Sequence, residues 1–369
     1  MGDFHTKKKK LCLILNVAPH YRKGIFERID KEYDAYFVTG TQNADIKPLD
    51  MSNFRHPVVY TRDIIVKGRK IWQKGILKYA FKDYEDIIIS GDIRKINHWI
   101  FLVVCKLKGK KTYAWTHGWY GKETTASSWI KRRFYGLYYG LFLYGNHAKE
   151  LMIKEGFDKN RLFVIHNSLD YEHQIGMRKT IHLSEVYQKH FGNNNKVIIF
   201  IGRLTMVKHL DMLIEALPRI KEECNLVFVG GGVEKEKLEK LAVEKGLNDR
   251  IWFYGPCYEE KTNAELIYNA DLCVAPGNVG LTAMHTMVFG TPVISHNCFK
   301  WQMPEYEAIK QGTTGDFFEY MNLQSMIDTI QKWFDNHSDR DNVRNACFNE
   351  IDSYWNPDFQ IEVIKSVIK

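Results

Sequence analysis

Short apolar runs alternate, along most of this chain, with stretches that are apolar at every third or fourth position. In the first half the runs fall at 11–17, 35–39, 58–60, 86–90, 112–116, 141–144 and 161–165. They predict strands, while 24–31, 71–81, 93–105 and 148–155 between them carry helical spacing. A polar stretch, 166–195, interrupts this rhythm and ends in Gly192-Asn193-Asn194-Asn195. The alternation then resumes, with strands predicted at 196–201, 225–230, 250–254, 272–275 and 292–295. Helices are predicted at 210–220, 234–245, 262–270, 281–289 and 323–334, and 357–368 is again apolar at helical spacing. Apolar strands alternating with amphipathic helices imply parallel sheets covered on both faces. The length of 369 residues suits two such domains. The expected division is a first domain over 1–168, a linker over 169–195, a second domain over 196–350 and a closing segment over 351–369.

Charge changes this picture in one respect. The net charge of +8 is uneven, since residues 1–170 carry 31 Lys+Arg against 17 Asp+Glu and the remainder 21 against 27. The basic half also holds the aromatic-rich run from Trp129 to Tyr144. Such a run suits an anionic membrane face or a lipid-linked phosphate. It equally suits a solvated helix that leads into a buried strand. Nucleic acid is not an expected partner, because no RNA- or zinc-finger signature accompanies the charge. Seven scattered cysteines without a C-x-x-C pair point to free thiols in a reducing cytoplasm. No run approaches the ~18 apolar residues of a membrane span. Residues 11–17, although preceded by Lys7 to Lys10, are too short for a signal peptide. Met1 to Thr6 fits a loose myristoylation pattern.

The chemistry concentrates at strand ends. The run Val197 to Ile201 closes in Gly202, followed by Arg203 and, five residues on, Lys208. A strand that stops at glycine and feeds a helix N-terminus suits an anion, and the two cations add charge-assisted bonds to phosphate oxygens. No P-loop pattern is present. Gly230, Gly231 and Gly232 follow another strand and would let a ligand approach the backbone. Tyr258, in the turn after Gly255-Pro256, is a candidate for stacking on a planar base or a plain surface residue. Gly280 opens a helix whose Leu281 and Thr282 N–H groups suit an anion, and His285 lies one turn further on.

These segments together resemble the retaining nucleotide-sugar glycosyltransferases of the large family 4 (glycosyl transferases group 1), which have the GT-B fold. The resemblance runs in order through Gly202-Arg203 with Lys208, Val229 to Gly232, Asp249 to Pro256, Asn269-Ala270-Asp271, Gly280-Leu281, Gly290 to Ile294, Pro304-Glu305 and Thr314-Gly315. It covers about residues 196–320. The first half matches more loosely, through Thr116-His117-Gly118 and Asn167. The implied fold is α/β, with two Rossmann-like doubly wound domains facing a cleft and a final helix that crosses back to the first domain. The resemblance implies catalytic roles for Arg203, Lys208 and His117. It implies donor contacts from Gly202, Gly230, Gly231, Tyr258, Gly280, Leu281, Thr282, His285 and Glu305. It places His20, Arg22 and Gly24 in a loop that meets acceptor or phosphate, although a solvated loop is the plainer reading of His20 and Arg22. No cofactor and no metal are implied; a UDP- or GDP-linked sugar is the donor substrate.

One departure stands out. Relatives carry two glutamates eight positions apart, where this chain has Gly277 and His285. Gly277 offers no side-chain hydrogen bond, whereas His285 can still meet a hydroxyl. Three readings follow. The first is a glycosyltransferase acting on a glycan or polyprenyl-diphosphate-linked acceptor in bacterial surface-polysaccharide assembly, cytoplasmic and peripheral to the inner membrane face. The second is a nucleotide-sugar 2-epimerase, and the third is a non-catalytic nucleotide-sugar-binding subunit.

Overall fold

The computed structural model describes residues 8–41 and 47–369. The myristoylation pattern and Lys7 lie outside the described residues. The chain divides into two compact units, Met1–Asp170 with Asn356–Lys369, and Tyr171–Trp355.

The first unit is built on seven parallel strands. In chain order they are β1 (Lys10–Leu15), β2 (Asp34–Gly40) and β3 (Val59–Thr61), then, after an antiparallel hairpin of β4 (Asp63–Lys67) and β5 (Lys70–Gln73), β6 (Asp86–Ser90), β7 (Lys111–Thr116), β8 (Gly140–Leu143) and β9 (Leu162–Val164). Their spatial order is β3-β2-β1-β6-β7-β8-β9. Alternate residues of β1 enter two different cores, which is why both faces of the strand are apolar. Leu11, Leu13 and Leu15 pack with Ile25, Phe26 and Ile29 of the helix Lys23–Glu32. Cys12 and Ile14 pack with Phe101, Leu102 and Cys105 of the helix Ile96–Leu107.

The helix Pro357–Val367 belongs to this unit, although almost two hundred residues separate it from the rest. Ile361, Ile364 and Ile368 complete the first core. Polar bonds hold the helix in register: Arg28 Nε donates to Asp358 at 2.7 Å, the Tyr33 hydroxyl to the Ile368 carbonyl at 2.9 Å, and Gln360 Nε2 to the His166 carbonyl at 3.1 Å. Asn356 caps its N-terminus and Pro357 opens it.

The second unit holds six parallel strands: β10 (Lys196–Ile201), β11 (Cys224–Val229), β12 (Ile251–Gly255), β13 (Leu272–Ala275), β14 (Val293–His296) and β15 (Gly315–Phe318). Their order, β12-β11-β10-β13-β14-β15, is that of a dinucleotide-binding sheet. The strand order reverses beside β10, between β11 and β13.

Three expectations need correction. Residues 71–81 are not a helix; they form β5 and a short 3-10 turn, Leu77–Phe81, because Gly68 and Gly75 adopt left-handed conformations that make a hairpin and then end it. Residues 169–195 are not a linker. They form the helices Tyr171–Arg178 and Val186–Phe191, whose polar groups are satisfied on the helix Glu260–Asn269. Gln174 donates to Glu260 at 2.8 Å, Ser184 N–H to Asn269 at 2.8 Å and the Tyr187 hydroxyl to the Leu266 carbonyl at 2.5 Å. Residues 340–354 belong to an unforeseen helix, Arg340–Tyr354, whose inward face mixes Cys347 and Ile351 with Arg344 and Glu350. No helix among the described residues is long and apolar enough to cross a membrane.

Candidate functional site

The second unit gathers its candidate residues at the carboxyl ends of β10 and β13, where the strand order reverses and such sheets bind ligands. After β10 the chain runs through Gly202 and Arg203 into a short turn, Met206–Lys208, and leaves it through His209 in a left-handed conformation. Lys208 is mostly buried, and its Nζ donates to the Asn278 carbonyl in the loop after β13. Burial, reinforced by the Arg203 cation, pushes the Lys208 ammonium down to about 8, against an opposing pull from buried Glu305. The structure therefore brings Arg203, Lys208 and Glu305 within electrostatic reach of one another. Arg203 itself is exposed.

At Gly277, where the resemblance implies a glutamate, the fold leaves no room for a side chain. A Cβ there would lie 2.1 Å from the Val207 carbonyl oxygen and 2.7 Å from Lys208 Cα, and Gly277 N–H donates to the Lys208 carbonyl at 2.9 Å. The Lys208 turn is seated directly on residue 277, so no side chain fits. His285 has a carboxylate beside it: its Nε2 lies 3.1 Å from Glu260. Burial raises the Glu260 carboxyl's proton affinity, but His285, Gln174 and Asn263 outweigh it, and the net shift is downward. A histidine–carboxylate pair thus stands at position 285.

The loop that carries Gly277 and Gly280 is pinned from below. Buried Gln302 accepts from Val279 N–H at 2.9 Å and donates to Ser295 Oγ at 2.8 Å and to the His296 carbonyl at 3.1 Å. Ser295 Oγ in turn donates to the Ala275 carbonyl at 2.9 Å. Neither Gln302 nor Glu260 was singled out in the sequence, because nothing in the pattern distinguishes a glutamine or glutamate that reaches a loop from one in solvent.

Other expected donor residues stand differently. The close approach anticipated at the glycine triplet is made by protein: a Cβ on Gly230 would lie 1.9 Å from the Gly202 carbonyl oxygen, and one on Gly231 2.9 Å from the Pro256 ring. The hydroxyl of Thr282 is turned inward, donating to the Ile201 carbonyl at 2.8 Å, and so ties β10 to the helix Thr282–Met287. The N–H groups of Leu281 and Thr282 precede that helix's first internal bond, from His285 N–H to the Leu281 carbonyl at 3.0 Å. Tyr258 is 96% exposed and meets no other ring among the described residues, so nothing in this structure positions it for a base.

The first unit has its own cavity, of ≈ 580 Å³, at the ends of β1, β6 and β7. Arg22 enters it, stacked on the rings of Trp115 and Tyr144 and donating to Asn167 Oδ1 at 2.9 Å. His117 also lines it, tilted on Tyr144 at 4.6 Å, and its buried Nδ1 meets no hydrogen-bond partner among the described residues. Burial, followed by the Arg22 and Lys131 cations, pushes His117 down to about 4. The ring is neutral at physiological pH and can accept a proton or a hydrogen bond. Lys131, bonded to Glu123 at 2.6 Å, and the Asp92–Arg94 pair at 2.8 Å also line the cavity and were not foreseen. The signal available for Asp92 and Arg94 was their place after the end of β6, whereas Lys131 lies within the helix Thr125–Tyr135, in the basic aromatic run. His20 does not line it: its N–H and ring both engage the Lys47 carbonyl at 3.1 Å, which turns it outward. Gly24 is buried in the first turn of the helix Lys23–Glu32 and contributes packing there.

Residues 185–349 match the family described as glycosyl transferases group 1. An uncharacterized glycosyltransferase of Methanocaldococcus jannaschii is 33% identical over 132 residues, 34% of this chain and 32% of that protein, so the match spans about a third of the relative's length. Among solved structures, the lipopolysaccharide outer core galactosyltransferase WaaB in its apo form superposes with a TM-score of 0.71 over 97% of this chain and 99% of its own, at 14% identity. HepE from Anabaena, in complex with UDP, gives 0.69 over the same shares of the two chains, again at 14% identity. These likenesses extend through both units, and they show a GT-B fold. The second unit thus carries the domain of the glycosyl transferases group 1, within a chain of GT-B fold.

Proposed function

We propose that this protein is a retaining glycosyltransferase that moves a sugar from a nucleoside-diphosphate sugar to a glycan or polyprenyl-diphosphate-linked acceptor, in bacterial surface-polysaccharide biosynthesis. The observation that carries the proposal is the pairing of Arg203 with a largely buried Lys208 at the switch point of the second sheet. A departing nucleoside diphosphate gathers negative charge as the glycosidic bond breaks, and fixed cations in a partly dry site stabilise it without reorganisation. Lys208, depressed chiefly by burial and further by its neighbour Arg203, regains proton affinity when an anion arrives. The two cations supply the charge that a metal supplies in other transferases. The His285–Glu260 pair offers a donor and an acceptor to sugar hydroxyls, and His117 and Arg22 line the cavity proposed for the acceptor. The UDP bound to HepE supports uridine donors as the first to test.

The test is a thermal-shift screen of purified protein against UDP, GDP, CMP, ADP and their common sugars. A ligand at about 100 times its dissociation constant adds roughly 2.7 kcal/mol. A shift selective for one nucleoside diphosphate and lost in Arg203→Ala is the expected result. No shift with any of them overturns the donor site. Conversion of a donor sugar to its 2-epimer without acceptor points to the epimerase instead, and binding without turnover of any sugar points to a non-catalytic subunit.

A further inference from the structure

The β4–β5 hairpin is an unusual surface feature. Every residue of β4 is exposed, on both faces of the ribbon. Three of them in succession are apolar: Ile64 is 43%, Ile65 76% and Val66 56% exposed. Ile64 lies opposite half-buried Trp72, and Ile65 opposite half-buried Ile71, so the ribbon carries apolar cross-strand pairs. Exposed apolar strands of this kind invite edge pairing unless something covers or repels. Here Arg62, Lys67, Arg69, Lys70 and Lys74 flank the apolar residues, and none of the five is in an ion pair with a described residue. Asp63, the one acid in the ribbon, is already committed to Lys95 at 3.0 Å.

The hairpin is also held firmly at its base. Lys95 Nζ, itself buried, bridges Asp63 and Gln73 Oε1 at 3.0 and 3.1 Å. Gln73 N–H donates to Asn97 Oδ1 at 3.1 Å, and Gln73 Nε2 reaches the Leu15 carbonyl at 3.0 Å. Ile71 N–H donates to the Arg94 carbonyl at 2.9 Å, and Asp92, Ile93 and Arg94 line the first unit's cavity. A rigid ribbon of apolar and cationic side chains therefore stands at the rim of that cavity.

We infer that this hairpin docks the first unit on an anionic lipid surface, with Ile64, Ile65 and Val66 entering the headgroup region and the five cations meeting lipid phosphates. The charge decides between occupants. A second copy of the hairpin would bring ten unneutralised cations together, whereas anionic headgroups attract each basic residue near the surface by about 1 kcal/mol. The inference rests on the proposed reading to the extent that it gives the acceptor cavity a source of lipid-linked substrate.

The test is sedimentation of the whole protein with vesicles, without donor or acceptor. Wild type is expected to pellet with vesicles of phosphatidylcholine plus phosphatidylglycerol, to stay in solution with phosphatidylcholine alone, and to be released by high salt. The variant I65D/V66D changes two exposed side chains and should keep the wild-type melting temperature and nucleotide shift, while its partitioning falls at least tenfold. Charge reversal at Lys67 and Lys70 should do the same. Equal partitioning of variant and wild type overturns the inference, as does a failure of wild type to pellet. A concentration-dependent dimer that I65D/V66D abolishes, without vesicle binding, overturns it in favour of a second copy. Protein that pellets as expected but binds no nucleotide leaves the hairpin's role intact and removes the enzymatic reading alone.

Discussion

Replacing Lys208 with methionine should stabilise this protein while disabling its candidate anion site. Methionine has nearly the length of lysine without its charge. The Lys208 ammonium is pushed from 10.5 down to about 8, chiefly by burial. At about 1.4 kcal/mol per unit, holding it charged in the folded state costs roughly 3 kcal/mol near neutral pH. The substitution forfeits one hydrogen bond to the Asn278 carbonyl, worth about 1 kcal/mol. The expected net gain for Lys208→Met is therefore about 2 kcal/mol at pH 7. Because the folded form releases this proton before the unfolded chain does, wild-type stability should rise with pH between about 8 and 10.5. The advantage of the variant should then shrink by about 2 kcal/mol at pH 9.5, where the folded lysine is largely neutral and the unfolded one still charged. Urea melts of both proteins at the two pH values measure this directly. Destabilisation by Lys208→Met at pH 7, or an equal difference at both pH values, refutes the reasoning. A more stable variant that no longer shifts with a nucleoside diphosphate marks a charge kept for function at the expense of stability.

Gly277→Ala should cost about 2 kcal/mol or more, because the added carbon meets the Val207 carbonyl and the Lys208 backbone. Gly277→Glu should fare no better, and urea melts of both variants that match wild type within error contradict the seated turn. Gln302→Ala should lose about 1–3 kcal/mol by orphaning buried Val279 N–H and removing the bond that Ser295 Oγ accepts; amide exchange at Val279 should quicken in the same variant. His117, depressed to about 4, should show neutral imidazole signals in NMR from pH 8 down to about 5. Its charging then cannot produce an acidic limb above about pH 5 in a rate profile, and a ring that titrates near 6.5 contradicts its burial.

The strand–helix alternation was legible because the central strands, β1, β6, β10 and β13 among them, are buried on two faces and read as apolar runs. Leu272–Ala275 is such a case, and its bounds coincide with those expected. Residues 71–81 misled because Trp72, Ile76, Tyr79 and Ala80 fall at helical spacing, while Gly75 decides the outcome. Residues 169–195 read as a linker because the partners of their helices are polar atoms on a distant helix, and hydrogen bonds leave no periodicity. In the site, Arg203 and Lys208 announced themselves by following a strand end. Gly277 could be read only as a lost carboxylate, since the turn that occupies its place is 70 residues earlier in the chain. The glycine triplet invited a ligand where the fold supplies a neighbouring turn. Tyr258 is exposed to solvent and His20 is held on the Lys47 carbonyl, and neither placement is legible from sequence neighbours.

The helix Pro357–Val367 has a consequence for how the chain is made. The second unit is continuous in sequence, whereas the first waits for its strip of Ile361, Ile364 and Ile368. On the ribosome, domains ordinarily fold in the order in which they emerge. Here Tyr171–Trp355 can finish first, while the earlier-made β1–β9 sheet stays exposed along the Leu11, Leu13 and Phe26 face. Nascent chains stalled before residue 357 should therefore draw chaperones to their oldest segment, and a late nonsense mutation would injure the beginning of the protein rather than its end.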